Sequence, residues 1–346
     1  MPYIQIKPHS SFFLGSNKPF NMGEVDWTDS LLLPRPSTLF GAIFSILYNK
    51  YPQIQDKVLD EKQEIEPTDY LEIENIYLYN KKNGRVLIPA PLDLFIGDDK
   101  IYNEDYISDI ITSYNIKKFE FVVPNTDNDA KRAENYFIDI SYLGEIPSEL
   151  YSFTDFATIE PKVGIAIDRS TKTTKESMLY RINLTQFIDE NWTFLVEYKT
   201  KDVVLNQSGI IKLGGEGKFA TYSHIEEPIT ITNHNQKLQL KKEDEFKIYF
   251  STPAIFEKGW IFAENEKFEI LSASIGKHIF IGGFDMKKRK AKTMYKAIPS
   301  GSIYLIKINQ KVSNIEELKE ILSIQSIDSK RGFGKFEILN VIYEED

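Results

Sequence analysis

The chain of 346 residues contains no cysteine, which removes disulfides, thiol nucleophiles and every cysteine-ligated zinc or iron–sulfur site at once. Histidine is scarce: His9, His224, His234 and His278 are all there is. They form no His-x-x-x-His pair, no His-Asp dyad and no metal-ligand spacing, so they point to no metal site, and only His9, just after the first strand, is a candidate acid or base. Long apolar runs are missing too. The longest, Phe40–Tyr48, spans nine residues and holds Ser45, too short for a membrane span, and the N-terminus goes directly into alternation rather than a signal peptide. The expected setting is a reducing one, the cytoplasm, without a membrane. A basic excess is also lacking. The net charge is −9, so the whole molecule does not advertise a polyanion partner.

What is present is core material: 42% hydrophobic and 13% aromatic residues, enough for two domains each with its own interior. Charge is unevenly spread. Between Ile281 and Asn340 there are twelve Lys and Arg against six Asp and Glu, a basic segment in an acidic protein. One short motif occurs twice, Gly-x-Gly-Lys-Phe at Gly215–Phe219 and again at Gly332–Phe336. Both copies run into an alternating, strand-like stretch, and paired glycines free the backbone for positive φ and close approach. A repeat of this kind suggests two copies of one domain plan.

Tyr3–Lys7 alternates with period two and reads as a first strand. Pro34-Arg35-Pro36 then breaks the chain before a helix with Ser37 as N-cap and an apolar stripe from Leu39 to Tyr51, ended by Pro52. Gly41 in that helix is expected to let another backbone come close. Lys81-Lys82-Asn83-Gly84 marks a hairpin turn between Ile73–Tyr79 and Val86–Pro89. Asn135–Leu143 and Trp192–Tyr198 read as strands. Val163–Arg169 and Met178–Leu184 flank a polar tip as the arms of an extended hairpin. After a connection at Glu226–Glu245, Phe246–Phe250 starts the second half. It continues with a strand at Ile303–Ile308, a capping-box pattern at Ser313–Glu316 and a helix with Ile315, Leu318, Ile321 and Leu322 on one face. Strands and helices mixed in this way suit an α+β sandwich such as the βαββαβ plan.

Five ordered motifs carry a resemblance: Pro34–Ala42, the stretch from Val163–Arg169 to Leu179-Tyr180, Leu213–Gly217, Ile281–Asp285 and Ala297–Tyr304. Together they resemble the third-subunit family of the Cmr complex, the type III-B CRISPR effector, over most of the chain. Phe284 stands where that family's pattern has tryptophan, and the second half lacks a clear first helix. The resemblance implies two ferredoxin-like (RRM-like, RAMP) domains, residues 1–235 and 236–346, each with a glycine-rich loop before its last strand. It also implies a β-hairpin thumb insertion at about 163–184. The implied role is noncatalytic: holding the 5′ handle of the guide RNA (crRNA) and capping the backbone filament in antiviral defence. The implied partners are that handle, the large polymerase-like subunit and the backbone RAMP subunit, with target RNA met indirectly and no cofactor.

The residues themselves suggest where RNA would lie. Gly215, Gly217, Gly332 and Gly334 offer backbone N–H groups to phosphates, with Lys218 and Lys335 adjacent. Lys330 and Arg331 flank the second loop, and Lys288 and Arg289 sit in a run of five cations within six residues. Ser37 and Thr38 open a helix, with Arg35 two residues before Ser37. On the hairpin, Arg169, Lys172 and Lys175 are placed to follow a backbone, and Met178 and Leu179 to press on an unstacked base. Phe12, Phe13, Trp27 and Trp260 are either core or stacking aromatics. Three other readings stay open: the equivalent subunit of a type III-A (Csm) complex, a metal-independent guide-processing endoribonuclease using His9 as acid or base, and an interaction subunit that never touches RNA.

Overall fold

The computed structural model describes residues 2–15, 27–31, 33–59, 65–108, 119–168, 170–225, 240–263, 265–285 and 289–340. The chain folds as two compact, discontinuous units. One takes Met1–Arg85, Phe153–Glu226 and Gly282–Met294, the other Val86–Ser152, Glu227–Ile281 and Tyr295–Asp346.

The first unit begins with β1 (Tyr3–Pro8), whose alternation buries Ile4 and Ile6 completely. Helix α1 (Pro36–Lys50) follows and buries Leu39, Phe40, Ile43 and Leu47. Its N-cap is Arg35 rather than Ser37, with no side-chain capping bond. Pro36 sits at the first helical position because its fixed φ suits the helix and it has no N–H to leave unpaired. Gly41 also differs from expectation: among the described residues a Cβ there would meet nothing within 4 Å, so none of their backbone approaches it. Helix α2 (Pro52–Leu59) continues directly. Strand β2 (Leu71–Asn80) ends in a turn closed by Gly84 N–H donating to the Asn80 carbonyl at 2.9 Å, with Gly84 at φ +72°.

Two long strands, β3 (Ala157–Ile167) and β4 (Thr174–Phe187), form an antiparallel hairpin, longer than the 163–184 expected. Strands β5 (Trp192–Thr200), β6 (Ser208–Lys212) and β7 (Phe219–His224) complete the unit. The sheet order within it is β2-β5-β1-β7-β6, antiparallel throughout. α1 packs against β2 and β6.

The second unit carries β8 (Glu245–Phe250), β9 (Phe268–Ser274), the short ribbon strands β10 (Ile279–Ile281) and β11 (Tyr295–Ala297), β12 (Ile303–Ile308), α3 (Ile315–Leu322) and β13 (Phe336–Asn340). Its sheet order is β9-β12-β8-β13, again antiparallel. Phe246, Ile248 and Phe250 of β8, Tyr304, Ile306 and Ile308 of β12, and Leu318 and Leu322 of α3 share one core. α3 is capped one residue later than the pattern suggested. The Asn314 side chain accepts from Glu317 N–H at 2.9 Å, and the Glu317 carboxylate accepts from Ser313 N–H at 2.8 Å.

Numbered along the chain, the four main strands of each unit lie side by side as 2-3-1-4. The units differ in their helices. The first has helices between its first two main strands and the β6 strand before its fourth. The second has α3 before its fourth strand and, among the described residues, no helix between β8 and β9.

Pro89, Leu92, Asp93 and Glu104, counted with the first half by sequence, bond to strands of the second sheet. The Tyr249 hydroxyl donates to the Pro89 carbonyl at 2.7 Å, and the Ser274 hydroxyl to the Leu92 carbonyl at 2.6 Å. Lys247 of β8, only 12% exposed, pairs with Asp93 at 2.9 Å and with Glu104. One buried lysine thus faces two buried carboxylates. Burial, and then the charge of Asp93, raise the Glu104 carboxyl above its ordinary value, while Lys247 opposes them.

Candidate nucleic-acid interface

In both units the Gly-x-Gly-Lys-Phe motif leads into the fourth main strand, β7 or β13. In the first unit it closes the turn between β6 and β7, with Leu213 N–H donating to the Lys218 carbonyl at 3.0 Å. Gly214 has φ +65°, and a Cβ there would stand 2.2 Å from the Phe13 carbonyl oxygen. Gly215 N–H donates to that same oxygen at 2.9 Å. The close backbone approach that glycine permits is therefore to the chain's own segment after β1. Gly217, at φ +67°, meets nothing within 4 Å of an added Cβ among the described residues. Lys218 reaches the Ser11 hydroxyl at 3.4 Å, and Glu216 pairs at 2.5 Å with Lys162 of the hairpin strand β3. That ion pair ties the loop to the middle of β3.

The second loop is held more tightly. A 3-10 turn at Ser329–Arg331 precedes it, and Arg331 N–H donates to the Asp328 carbonyl at 2.8 Å. The Arg331 guanidinium stands 3.6 Å from the Asp328 carboxylate. Gly332 and Gly334 have φ +98° and +69°. Phe333 between them is fully buried, and Gly334 N–H donates to the Pro253 carbonyl at 2.8 Å. Lys335 N–H donates to the Thr252 hydroxyl at 2.9 Å. Of the four glycine N–H groups expected to meet a phosphate, those of Gly215, Gly332 and Gly334 are thus donated within the protein. What the loop holds toward solvent is charge: Lys330 is exposed and Lys335 half-buried.

At the start of α1, Thr38 N–H donates to the Arg35 carbonyl at 2.9 Å, and Ser37 and Thr38 are half-buried. The Arg35 Nε is buried without a hydrogen-bond partner among the described residues, and burial disfavours its charged form. On the hairpin tip the Asp168 carboxylate accepts from Ser170 N–H at 2.8 Å and from the Ser170 hydroxyl at 2.5 Å. These bonds hold it below the usual carboxylate range. Lys172, at φ +58°, is exposed on the same tip. Arg169 and Lys288 lie outside the described residues, as do the side chains of Lys175, Met178, Leu179 and Trp27. Arg289 is described and exposed.

The hairpin carries a feature the motifs do not announce. Ile159, Val163, Ile165 and Ile167 alternate along β3 and are each about half exposed, an apolar stripe on one face of the strand. The alternation itself is visible in the sequence. Of the aromatics singled out there, Phe12 is buried core and Trp260 packs on the core of the second unit. His9 Nε2 lies 2.5 Å from the Thr221 hydroxyl, and His9 N–H donates to the Phe219 carbonyl. Among the described residues, no group of three or more His, Asp or Glu is placed to hold a metal ion, and no helix is long and apolar enough to cross a membrane.

Comparison with known proteins agrees with this arrangement. A curated relative, the CRISPR system CMR subunit Cmr3 of Saccharolobus solfataricus, is 23% identical over 316 residues, covering 88% of this chain and 85% of its own. Two solved structures match the fold across almost the whole chain. One is a chain of the Type III-B Cmr-beta complex bound to cognate target RNA and AMPPnP, with TM-score 0.55, 19% identity, and coverage of 95% of this chain and 91% of that one. The other comes from the same type of complex bound to cognate target RNA, with TM-score 0.53, 18% identity, and coverage of 96% and 93%. The family model described as CRISPR-associated protein (Cas_Cmr3) matches residues 4–341. With that match over nearly its full length, the chain belongs to the Cas_Cmr3 family, the Cmr3 subunits of type III-B Cmr complexes.

Proposed function

We propose that this subunit holds the 5′ handle of the guide RNA and caps the backbone filament of the effector without catalysing a reaction. Its neighbours on this reading are the large polymerase-like subunit and the first copy of the backbone RAMP subunit. The observation that carries it is the second glycine loop: Lys330, Arg331 and Lys335 are grouped on a turn fixed by Gly334 and by the buried Phe333. A turn already rigid loses little freedom when a phosphate binds, so its cations contribute more of their attraction to affinity.

The strand order supports reading both sheets as ferredoxin-like domains. All main strands of the first sheet precede residue 235 and all of the second follow it. The β3–β4 hairpin serves as the thumb, its apolar stripe supplying a wedge against stacked bases. Arg35, Ser37 and Thr38, together with the first glycine loop, form a further RNA contact in the first unit. His9 Nε2 is partnered by the neutral Thr221 hydroxyl.

The test is site-specific crosslinking in the assembled complex, with 4-thiouridine placed at each guide position in turn. Handle positions should crosslink to this subunit, with peptides around Lys330–Lys335 among the products. Crosslinks confined to other subunits would overturn the assignment.

A further inference from the structure

Strand β6 ends the first sheet, with β7 on one side and, among the described residues, no strand on the other. The bonds at its two ends fix which of its backbone groups face outward. Leu213 N–H donates to the Lys218 carbonyl and His224 N–H to the Gln207 carbonyl, each at 3.0 Å. Hydrogen-bonded pairs recur at every second residue of an antiparallel ladder. In the observed register the pairs between those ends are Gly209 with Tyr222 and Ile211 with Ala220. The N–H and C=O groups of Ser208, Ile210 and Lys212 therefore point away from β7.

The same residues carry the strand's exposed side chains. Ile211 is buried, whereas Ser208, Ile210 and Lys212 stand on the opposite face and are exposed, Ile210 to 67%. Phe219, paired with Lys212, shares that face and is half exposed. The chain enters the strand on a fixed course. Val204 N–H donates to the Tyr51 hydroxyl at 3.2 Å, and the Val204 carbonyl accepts from that hydroxyl at 3.0 Å and from the Lys50 ammonium at 2.9 Å. Free edges are ordinarily blunted by proline, a bulge or a charge at the centre. Strand β6 has no proline and no register shift, and its central residue is isoleucine.

We propose that β6 takes an added strand: an extended segment of a neighbouring protein subunit pairs with its free edge along Ser208, Ile210 and Lys212. That segment carries an apolar residue opposite Ile210 and an acidic one, two positions away, opposite Lys212. Donors alternating with acceptors along an edge are complementary to another extended backbone. They suit a phosphate chain poorly, because the carbonyls between the N–H groups repel its oxygens. The apolar and opposite-charge cross-strand pairs set the register. The proposal needs a protein neighbour and does not rest on the RNA reading above, so either can fail alone.

The experiment compares the free full-length chain with the assembled complex by residue-resolved hydrogen exchange, and a carbodiimide joins Lys212 to any carboxylate that touches it. In the free chain the amides of Ile210 and Lys212 should exchange fast and those of Gly209 and Ile211 slowly. In the complex the amides of Ser208, Ile210 and Lys212 should slow about tenfold or more, and Lys212 should crosslink to an acidic residue of another subunit. Ile210→Pro removes only an outward N–H, which an edge strand tolerates, and should weaken incorporation into the complex about tenfold. Ile210→Lys, which leaves the backbone intact and places a charge at the centre of the edge, should do the same. Exchange that is equally fast in the free chain and the complex refutes the added strand, as does normal incorporation of either variant. Slow exchange of these amides in the free chain would mean that the chain covers its own edge, and protection produced by guide RNA alone would make the occupant RNA. Crosslinks from Lys212 only to a second copy of this chain would make it a homodimer contact. Each of these three results overturns the proposal.

Discussion

Gly334→Ala tests the claim that the second glycine loop is built for the protein's own packing. The residue sits at φ +69°, and an added Cβ would lie 2.3 Å from the Ser326 Cβ and 2.9 Å from its Oγ. Ser326 has little room to yield, because its hydroxyl accepts from Ile255 N–H at 2.9 Å and donates to the Ile327 carbonyl at 3.1 Å. The left-handed conformation costs alanine about 1–2 kcal/mol, and forcing an extra methyl into a packed site about 1–3 kcal/mol. Together these give a destabilisation of about 2–5 kcal/mol. Gly217 is the internal control. It occupies the matching place in the first motif at φ +67°, but among the described residues a Cβ there meets nothing within 4 Å, so Gly217→Ala should cost only the conformational part, about 1–2 kcal/mol. Urea unfolding followed by tryptophan fluorescence reads the loss, and hydrogen exchange of the amides around Lys335 localises it. Equal losses in the two variants, or a loss below about 1 kcal/mol for Gly334→Ala, would refute the packing argument.

Other perturbations probe other parts of the fold. The folded-state carboxyl of Glu104 is raised above its ordinary value, so its contribution to stability is complete at low pH and is lost as pH rises through the folded value. Glu104→Gln should flatten the pH dependence of the melting temperature in that range, and an unchanged slope would dismiss Glu104 as its source. Asn314→Ala removes the α3 cap bond and should cost about 1 kcal/mol in a denaturant titration. Gly41→Ala, on an exposed helix position facing open space, should stabilise the isolated chain by about 1 kcal/mol. Destabilisation there would mean that the helix needs glycine for a neighbour the structure does not show.

The sequence is most informative where physics is local. The alternation of Tyr3–Lys7, the apolar face of α3 and the repeated glycine motif each depend on a few neighbouring residues, and all three appear in the structure near their expected bounds. The repeat proves especially informative, since both copies lead into the same strand of the two sheets. What stays hidden depends on distant partners. Lys247 finds Asp93 across 154 positions, and nothing near Lys247 announces that a segment from the first half will stand on its strand. The use of the glycines is also hidden. Their motif signals a close approach, but only the fold shows Phe13 and Pro253 to be what approaches. Ser37 gives way to Arg35 as N-cap because Pro36 favours the first helical position, a contest between two local rules that the sequence does not decide.

The central claim is that this subunit grips the guide's 5′ handle through basic loops without cutting it. Its most direct test is equilibrium binding of handle-bearing and scrambled guide RNA to the complex assembled with wild-type subunit or with Lys330→Gln, Arg331→Gln and Lys335→Gln combined, at two salt concentrations. The account predicts uncut RNA, preference for the handle in the wild type, and weaker binding in the variant, with a salt slope lower by about 0.7 for each phosphate no longer neutralised. Binding that ignores the three substitutions and the handle sequence, or cleavage that disappears with His9→Ala, would contradict it.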